Sequence, residues 1–327
     1  MVVRSDVMLA DDFASAWDRR HLHLIIMPTE RCNFRCVYCY EDFSIGRMKP
    51  LMVDSVKALL ARRIPDLDSL EINWFGGEPT VALAVVTQIM AHAQALCQTH
   101  GVRLRAGMTT NGFLLTEPVY RDLVAHAVTD FQITLDGPQA WHDTTRLQAN
   151  GAGSFATIMA NLRAIRRRPA QGEILLRLHL TRRNQAEMPA FVARLKRMFG
   201  GDPRFRFTLQ PVENLGGGAD LSDLVIDGRE RGWGENSHPT EAAGDDMERR
   251  HDETYVCYAA KANSFVIRSD GRIGKCTVAL RSDHNAIGQL EPDGQLRLDP
   301  ARTNRWFEGW ISHEQGALSC PAATLFL

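Results

Sequence analysis

The feature that most constrains the fold of this chain is a regular alternation of apolar, strand-like runs with stretches of helical period. In the stretch from Ala82 to Cys97, apolar residues recur at three- and four-residue steps and form one stripe. The alternation predicts repeated βα units on a parallel sheet. The six predicted strands are HLHLIIM from His21, LEINWF from Leu70, RLRAGMT from Arg103, FQITL from Phe131, EILLRLHL from Glu173 and FRFTLQ from Phe205.

The composition is that of a globular chain without a strong charge bias. Its 327 residues are 44% hydrophobic, enough to bury a full core. Lys plus Arg number 38 and Asp plus Glu 39, so the net charge of -1 gives no global reason to expect nucleic acid or an anionic membrane. The first twenty residues lack a signal-peptide pattern, and no membrane-length apolar run follows. We therefore expect a cytoplasmic protein.

The periodic pattern ends after Gln210. The following segment is rich in Gly, Asp and Glu, and two later stretches read as hairpins turning at Asp270-Gly271 and Asp293-Gly294. We predict a core at 1–212 that includes a lead-in at 1–20, a linker at 213–250, and a small α+β unit at 251–327.

Three cysteines, Cys32, Cys36 and Cys39, lie within eight positions directly after the first predicted strand. Among seven cysteines in all, this spacing is unlike a disulfide framework and indicates metal ligation in a reducing compartment. Three cysteinates fill three corners of a four-iron cluster and leave one iron open. The alternative is a structural zinc site completed by His21 or His23. The position of the loop at a strand end, where α/β folds carry their active sites, favours the cluster.

The Cys32-x3-Cys36-x2-Cys39 spacing, with Tyr38 before the last cysteine, resembles the cluster motif of the radical S-adenosylmethionine (SAM) enzymes. Three further segments resemble motifs of that family: WFGGEPT from Trp74 to Thr80, TTNG from Thr109 to Gly112, and ITLDG from Ile133 to Gly137. Each lies at the carboxyl end of a predicted strand. The resemblance covers about residues 20 to 212 and implies the family's fold, a partial (β/α)6 TIM barrel.

The resemblance also implies two cofactors, a [4Fe-4S] cluster on Cys32, Cys36 and Cys39 and SAM bound at its open iron. In this family an electron from the cluster cleaves SAM to a 5′-deoxyadenosyl radical, which abstracts hydrogen from the substrate. The positions that match SAM-binding residues of the family are Tyr38, Gly76, Gly77, Glu78, Asn111, Thr134, Asp136 and Arg146.

Within this set the resemblance implies individual roles. Residues 76–78 receive the methionine amino group, and Arg146 faces the methionine carboxylate. Tyr38 lies by the adenine and Thr134 by the ribose. Ordinary turn chemistry is the alternative for each motif, because Gly-Gly, Asn-Gly and Asp-Gly pairs also end strands. The catalytic acid or base stays unknown.

The tail carries a second resemblance. Cys257, followed after thirteen residues by Gly271 and after four more by Cys276, is similar to the opening half of the SPASM/twitch extension of peptide-modifying radical enzymes. Only Cys320 remains of the later cysteines of that extension. The resemblance implies one auxiliary cluster on Cys257, Cys276 and Cys320, with the fourth position open or filled by His313 or a substrate group. In the alternative, these are ordinary core thiols.

The architecture implies a maturase of a ribosomally synthesised peptide, forming an intramolecular carbon–carbon or thioether cross-link. Alternatives are epimerisation, maturation of an enzyme side chain, RNA modification, or a non-catalytic iron–sulfur protein that binds SAM or passes electrons. The expected partners are the peptide and an electron donor such as flavodoxin or ferredoxin. A leader segment of the peptide would be recognised by a separate protein or by the barrel surface. We expect no membrane partner, and the arginines between Arg163 and Arg206 are expected to be solvated surface rather than a nucleic-acid site.

Overall fold

The computed structural model describes residues 12–41, 43–168, 171–226 and 255–325. Residues 1–11 of the predicted lead-in and 227–250 of the predicted linker lie outside the described residues. The strands are β1 (His21–Ile26), β2 (Phe34–Cys36), β3 (Ser69–Trp74), β4 (Arg103–Thr110), β5 (Val128–Leu135), β6 (Arg146–Gln148), β7 (Glu173–Leu180), β8 (Phe205–Pro211), β9 (Ser264–Ile267), β10 (Arg272–Gly274), β11 (Gly288–Leu290) and β12 (Leu296–Leu298). The longer helices are α1 (Pro50–Arg63), α2 (Leu83–His100), α3 (Glu117–Ala125), α4 (Gln139–Thr145), α5 (Phe155–Arg166) and α6 (Met188–Phe199). Four five-residue helices follow in the tail: α7 (Pro300–Asn304), α8 (Glu308–Ser312), α9 (Gln315–Ser319) and α10 (Pro321–Leu325).

The chain forms two compact units. The first contains the described residues up to Glu30, then Ser44–Ala106, and the tail from Tyr255; the second contains Arg31–Phe43 and the residues from Gly107 to Ile226. The chain passes from one unit to the other inside β4.

The sheet of the first unit has the strand order β12-β11-β10-β9-β1-β3-β4. β1 pairs in parallel with both neighbours, so that Leu24 lies opposite Ile72 of β3 and Phe265 of β9. The two predicted hairpins are confirmed, because β9 pairs antiparallel with β10 and β11 with β12. The sequence did not reveal that β9 would pair with β1, although all four residues of β9 are buried, as expected of an interior strand.

In the second unit the strand order is β5-β7-β8, and neighbouring strands pair in parallel. Alternate residues of β5 and β7 face each other in register, as in Phe131 with Ile174 and Ile133 with Leu176, and all four are buried. A separate two-stranded ribbon pairs β2 with β6. All six strands predicted from the apolar runs are present, and the mostly parallel α/β architecture is confirmed.

Local signals set the ends of several helices. α1 begins with Pro50 in its first turn, where a missing N–H has no cost. α2 ends at Gly101, which adopts a left-handed φ of 68° and whose N–H bonds to the carbonyl of Cys97. Cys97 itself is buried, as expected for a core thiol.

Within the described residues, one helical stretch, Pro79–His100, is long and apolar enough to cross a membrane by length and composition. Its buried residues include Val86, Ile89, Ala93 and Cys97, which form a stripe at helical spacing. That stripe is the pattern of a helix packed on a protein core.

A buried ion pair fastens the end of β9 to the segment that follows β1. The Nε of Arg268 donates to Glu30 Oε1 at 3.1 Å, a second bond joins its Nη2 to Oε2, and its Nη1 donates to the carbonyl of Leu280. The two charged side chains are 9% and 2% exposed. Removing one partner of such a pair leaves the other charge buried and uncompensated.

We expect Arg268→Met to destabilise the protein strongly, by about 3–5 kcal/mol, because Glu30 would remain charged in the interior. The matched control is Arg272→Met, since Arg272 pairs with Asp270 near the surface with side chains 43% and 37% exposed. That change should cost about 1 kcal/mol or less. Urea unfolding followed by circular dichroism measures both, and equal costs for the two variants would contradict this account.

Candidate functional site

The cysteine loop of the second unit is held by backbone pairing with β6. In the β2–β6 ribbon, Cys36 lies opposite Arg146, and the N–H of Val37 donates to the carbonyl of Thr145 at 2.9 Å. The N–H of Phe34 donates to Cys32 Sγ at 3.3 Å. The loop is therefore ordered by its own backbone.

A second anchor is the hydroxyl of Tyr38. It lies 2.8 and 2.9 Å from the two carboxylate oxygens of Asp136, to one of which it donates, and it accepts from Nη1 of Arg146 at 2.9 Å. Nδ1 of His179 is 3.1 Å from the same hydroxyl, and Thr145 Oγ1 donates to Asp136 at 2.6 Å. Residues that are distant in sequence thus meet around one buried carboxylate.

The charge of Asp136 is stabilised by this network. Burial alone would raise the pKa of Asp136, but the hydrogen bond and charge of His179 and the charge of Arg146 hold it well below its usual range. Arg146 is the permanent cation of the group, because Tyr38, Cys36 and Asp136 raise its pKa against the effect of burial. Burial lowers the pKa of His179, and the carboxylate of Asp136 opposes this effect.

His142 links the backbone of Asp136 to Ser154 by hydrogen bonds. The backbone N–H of Asp136 donates to its Nδ1 at 3.2 Å, and burial lowers its pKa to about 4. The proton of the neutral ring therefore lies on Nε2, which faces Ser154 Oγ at 3.1 Å, and Ser154 in turn donates to the carbonyl of Arg146 at 2.7 Å. This chain fixes the strand that opposes the cysteine loop.

The donor set fits a thiolate-bound cluster and an anionic ligand. Burial raises the pKa of the Cys36 thiol to about 11 and that of Cys39 above its usual value, so both thiols stay neutral until a cation compensates them. The Nε of Arg146 is buried and has no hydrogen-bond partner among the described residues. A guanidinium with a spare buried donor suits a carboxylate ligand.

No three His, Cys, Asp or Glu side chains in the described ranges converge as ligands of a single metal ion. This gives no support to the zinc alternative, and His23 already lies within hydrogen-bond distance of Asn73 and Ser264. A four-iron cluster makes a different demand, because each cysteine ligates a different iron.

The glycine-rich motif lies in the first unit, at the end of β3. Gly76 has a φ of 105°, and a Cβ there would collide with the carbonyl oxygen of Thr29. The carboxylate of Glu78 is fully buried and accepts from the N–H of Thr80 at 3.0 Å, capping a short 3-10 turn over Pro79–Ala82. Turn chemistry therefore accounts for part of this motif, while Gly77 donates to the carbonyl of Thr29.

Asn111 and Thr134 end neighbouring strands of the second unit, and both are buried. Asn111 Nδ2 donates to Asn33 Oδ1 at 2.8 Å and lies 3.9 Å from Cys32 Sγ, so it braces the cysteine loop. Thr134 lies in β5 opposite Arg177 of β7.

Sequence analysis missed several residues of this site. His179, Thr145 and His142 carry no motif, and the one available signal was a polar residue near the carboxyl end of an apolar strand, as His179 is in β7. Gly217 was assigned to the linker, yet a Cβ there would collide with the carbonyl of Cys39. The segment after β8 therefore packs on the cysteine loop.

Hydrogen bonds connect the segments that carry the three tail cysteines in the first unit. Burial raises the pKa of the Cys257 thiol to about 11. The N–H of Cys257 donates to the carbonyl of Leu318, close to Cys320 in sequence, and the N–H of Val278 points at Cys276 Sγ at 3.4 Å. This donor set fits a thiolate-bound cluster.

Neighbouring side chains hold the two ligand-bearing segments together. Tyr258 and Thr277, each adjacent to a cysteine, are joined by a hydroxyl contact of 2.8 Å. Asn285 accepts from the N–H of Cys276 and donates to its carbonyl. His313, considered as a fourth ligand, is exposed and belongs to no ligand group within the described tail.

Comparison with known proteins agrees with the fold and motifs. Residues 26–183 match the Radical SAM superfamily. Molybdenum cofactor biosynthesis protein 1 of Drosophila melanogaster is 36% identical over 117 residues, which are 35% of this chain and 19% of that protein. GTP 3′,8-cyclase of Haemophilus influenzae (strain 86-028NP) is 26% identical over 150 residues, 45% of this chain and 41% of the cyclase. The matched stretches span less than half of either relative.

Two solved structures have a similar fold. Native anSMEcpe with bound AdoMet has a TM-score of 0.61 at 17% identity. The match covers 86% of this chain and 80% of the anSMEcpe chain. Streptococcus suis SuiB bound to precursor peptide SuiA has a TM-score of 0.58 at 15% identity. The match covers 92% of this chain and 70% of the SuiB chain. At these identities the likeness shows the fold alone, and it confirms the expected partial-barrel class.

We expect the stability contributed by Asp136 to depend on pH. Because its pKa in the folded state lies below the unfolded value of about 3.9, its contribution is present above about pH 4 and is lost as the pH falls further. The difference in unfolding free energy between the parent and Asp136→Asn should therefore narrow between pH 6 and pH 3. Urea unfolding at each pH measures it, with Asp293→Asn as an exposed control. A difference that stays constant over this range would contradict the ionised assignment.

Proposed function

This chain belongs to the radical S-adenosylmethionine superfamily, and from that premise we propose that it is an enzyme that modifies a ribosomally synthesised peptide. The observation that carries the proposal is the cysteine loop: three thiols on a segment whose backbone pairs with β6 and whose Tyr38 is anchored to Asp136 and Arg146. We propose core boundaries of 1–212, a linker at 213–250 and an auxiliary unit at 251–327.

In the proposal, Cys32, Cys36 and Cys39 hold a [4Fe-4S] cluster with one open iron. When bound, the cluster and SAM supply a one-electron cleavage that gives a hydrogen-abstracting 5′-deoxyadenosyl radical. The protein's own part is to keep these thiols in place, which the ribbon and the N–H of Phe34 do. An external flavodoxin or ferredoxin provides the electron.

The SAM-binding roles follow the family resemblance. Arg146 binds the methionine carboxylate, in keeping with its unpartnered buried Nε. Residues 76–78 bind the amino group, Tyr38 lies by the adenine and Thr134 by the ribose. Asn111 and Asp136 contribute to SAM binding through neighbouring residues. Asn111 donates to Asn33 in the cysteine loop, and Asp136 orients Tyr38 and Arg146.

The auxiliary unit supports a peptide substrate. Cys257, Cys276 and Cys320 lie on segments joined by a backbone hydrogen bond and a hydroxyl contact, and they hold a second cluster in the proposal. The similar fold of SuiB was solved with its precursor peptide, and anSMEcpe with the Cp18Cys peptide, which suggests the same class of substrate here. An intramolecular cross-link is the outcome we favour.

A second candidate is a purine nucleotide substrate, because the curated relatives include proteins named GTP 3′,8-cyclase. The proposed site of action for either substrate is the cytoplasm. Product analysis separates the two candidates, since one yields a modified peptide and the other a modified nucleotide.

We expect Cys32→Ala/Cys36→Ala/Cys39→Ala to lose one four-iron cluster and to produce no 5′-deoxyadenosine, because no thiolate would remain to hold the cluster that reduces SAM. The measurement is iron content and chromatography of products after anaerobic reconstitution with SAM and dithionite. Cys97→Ala, which removes a buried thiol outside both sites, is the matched control and should behave like the parent. Parental iron content and SAM cleavage in the triple variant would overturn the assignment.

We expect Cys257→Ala/Cys276→Ala to hold about four irons where the parent holds about eight, as two four-iron clusters require. The variant should still cleave SAM but leave the peptide unmodified. Mass spectrometry of precursor peptides encoded beside this chain, with GTP tested in parallel, reports the product. A parent that saturates near four irons, with the double variant identical to it, would remove the second cluster, and a modified GTP product would favour the second candidate.

A further inference from the structure

Lys275 is a fully buried cation next to the tail cysteines. Its side chain has 0% exposure, and its Nζ donates to the carbonyls of Ser264, at 2.6 Å, and of Lys261. The ammonium lies 5.1 Å from the ring centroids of Phe265 and Phe307. In the described part of the chain, no carboxylate forms an ion pair with it.

A buried ammonium without a counter-charge is unfavourable unless another anion compensates it. Two carbonyls and two ring faces offer only partial negative charge. The thiolates of a cluster bound by the tail cysteines would supply such an anion. Lys275 directly precedes Cys276, and its Nζ donates to the carbonyl of Lys261 in the segment between Cys257 and β9. The buried ammonium therefore connects the segments that carry Cys257 and Cys276.

We propose that Lys275 is the positive charge that sets the reduction potential of the auxiliary cluster on Cys257, Cys276 and Cys320. The inference rests on the proposed function, since it needs that cluster. A cluster bound by thiolates gains one negative charge on reduction, and a cation in a low-dielectric surrounding stabilises the more negative form. The potential is thereby raised, which suits a cluster that accepts an electron from a substrate radical.

The backbone fixes the position of this charge. Lys275 lies between β10 and Cys276, and the N–H groups of both residues donate to Asn285 Oδ1 at 2.8 and 2.9 Å. The carbonyls that accept from Nζ belong to the segment between Cys257 and β9. Lys275 thus connects both ligand-bearing segments, so its effect as a charge must be separated from its effect as a hydrogen-bond donor.

Three variants separate the two effects. Lys275→Gln removes the charge and keeps a donor, Lys275→Met removes both, and Lys275→Arg keeps the charge. Each is made in the full-length Cys32→Ala/Cys36→Ala/Cys39→Ala protein, where only the auxiliary site holds iron. A redox titration followed by electron paramagnetic resonance gives the midpoint potential.

We expect Lys275→Gln and Lys275→Met each to lower the equilibrium constant for reduction by about tenfold, which is about 59 mV for one electron. Lys275→Arg should keep the parental potential, and Lys261→Met, which removes a charge that water partly screens, should change it little. If Lys275→Met does not fold, the midpoint potentials of Lys275→Gln and Lys275→Arg are compared instead.

The outcomes are distinct. A parental potential in Lys275→Gln with a changed one in Lys275→Met would show a hydrogen-bonding role and overturn the inference. Equal potentials in all variants would overturn it as well, while leaving the auxiliary cluster in place. A triple-alanine protein that binds no iron would overturn the auxiliary cluster itself, and this inference with it.

Discussion

The buried carboxylate of Asp136 is the constraint around which the second unit is arranged. A charge removed from water must be met by donors and by an opposite charge. Here the donors are Tyr38, Thr145 and His179, and the cation is Arg146. Because Tyr38 lies between two of the clustered cysteines, satisfying this one charge also fixes the cysteine loop.

The first unit also buries charged side chains, in the Arg268–Glu30 pair and at Lys275. The Arg268–Glu30 pair is compensated within the fold, by mutual bonds and by the carbonyl of Leu280. Lys275 forms no ion pair with the described side chains, and its Nζ donates to the backbone carbonyls of Lys261 and Ser264. The contrast explains why we treat the first as structural and the second as part of the tail's chemistry.

The Gly-Gly-Glu-Pro segment shows how a motif can serve packing and ligand binding together. Gly76 is required by the carbonyl of Thr29, and Glu78 caps the turn through Thr80. Neither contact conflicts with a bound ammonium, but each explains part of the motif without one. Arg146 differs, because its buried Nε has no hydrogen-bond partner in the described ranges.

By itself, the sequence determined the six core strands, both tail hairpins and the three-cysteine loop. These depend on apolar period, Asp-Gly turns and short-range spacing, all of which are local. Only the tertiary structure decided that β9 pairs with β1, that Tyr38 meets Asp136, and that His179 and Gly217 reach the cysteine loop. The physical reason is that burial and charge compensation bring together residues up to more than a hundred positions apart, and no local pattern records which distant group will compensate a given charge.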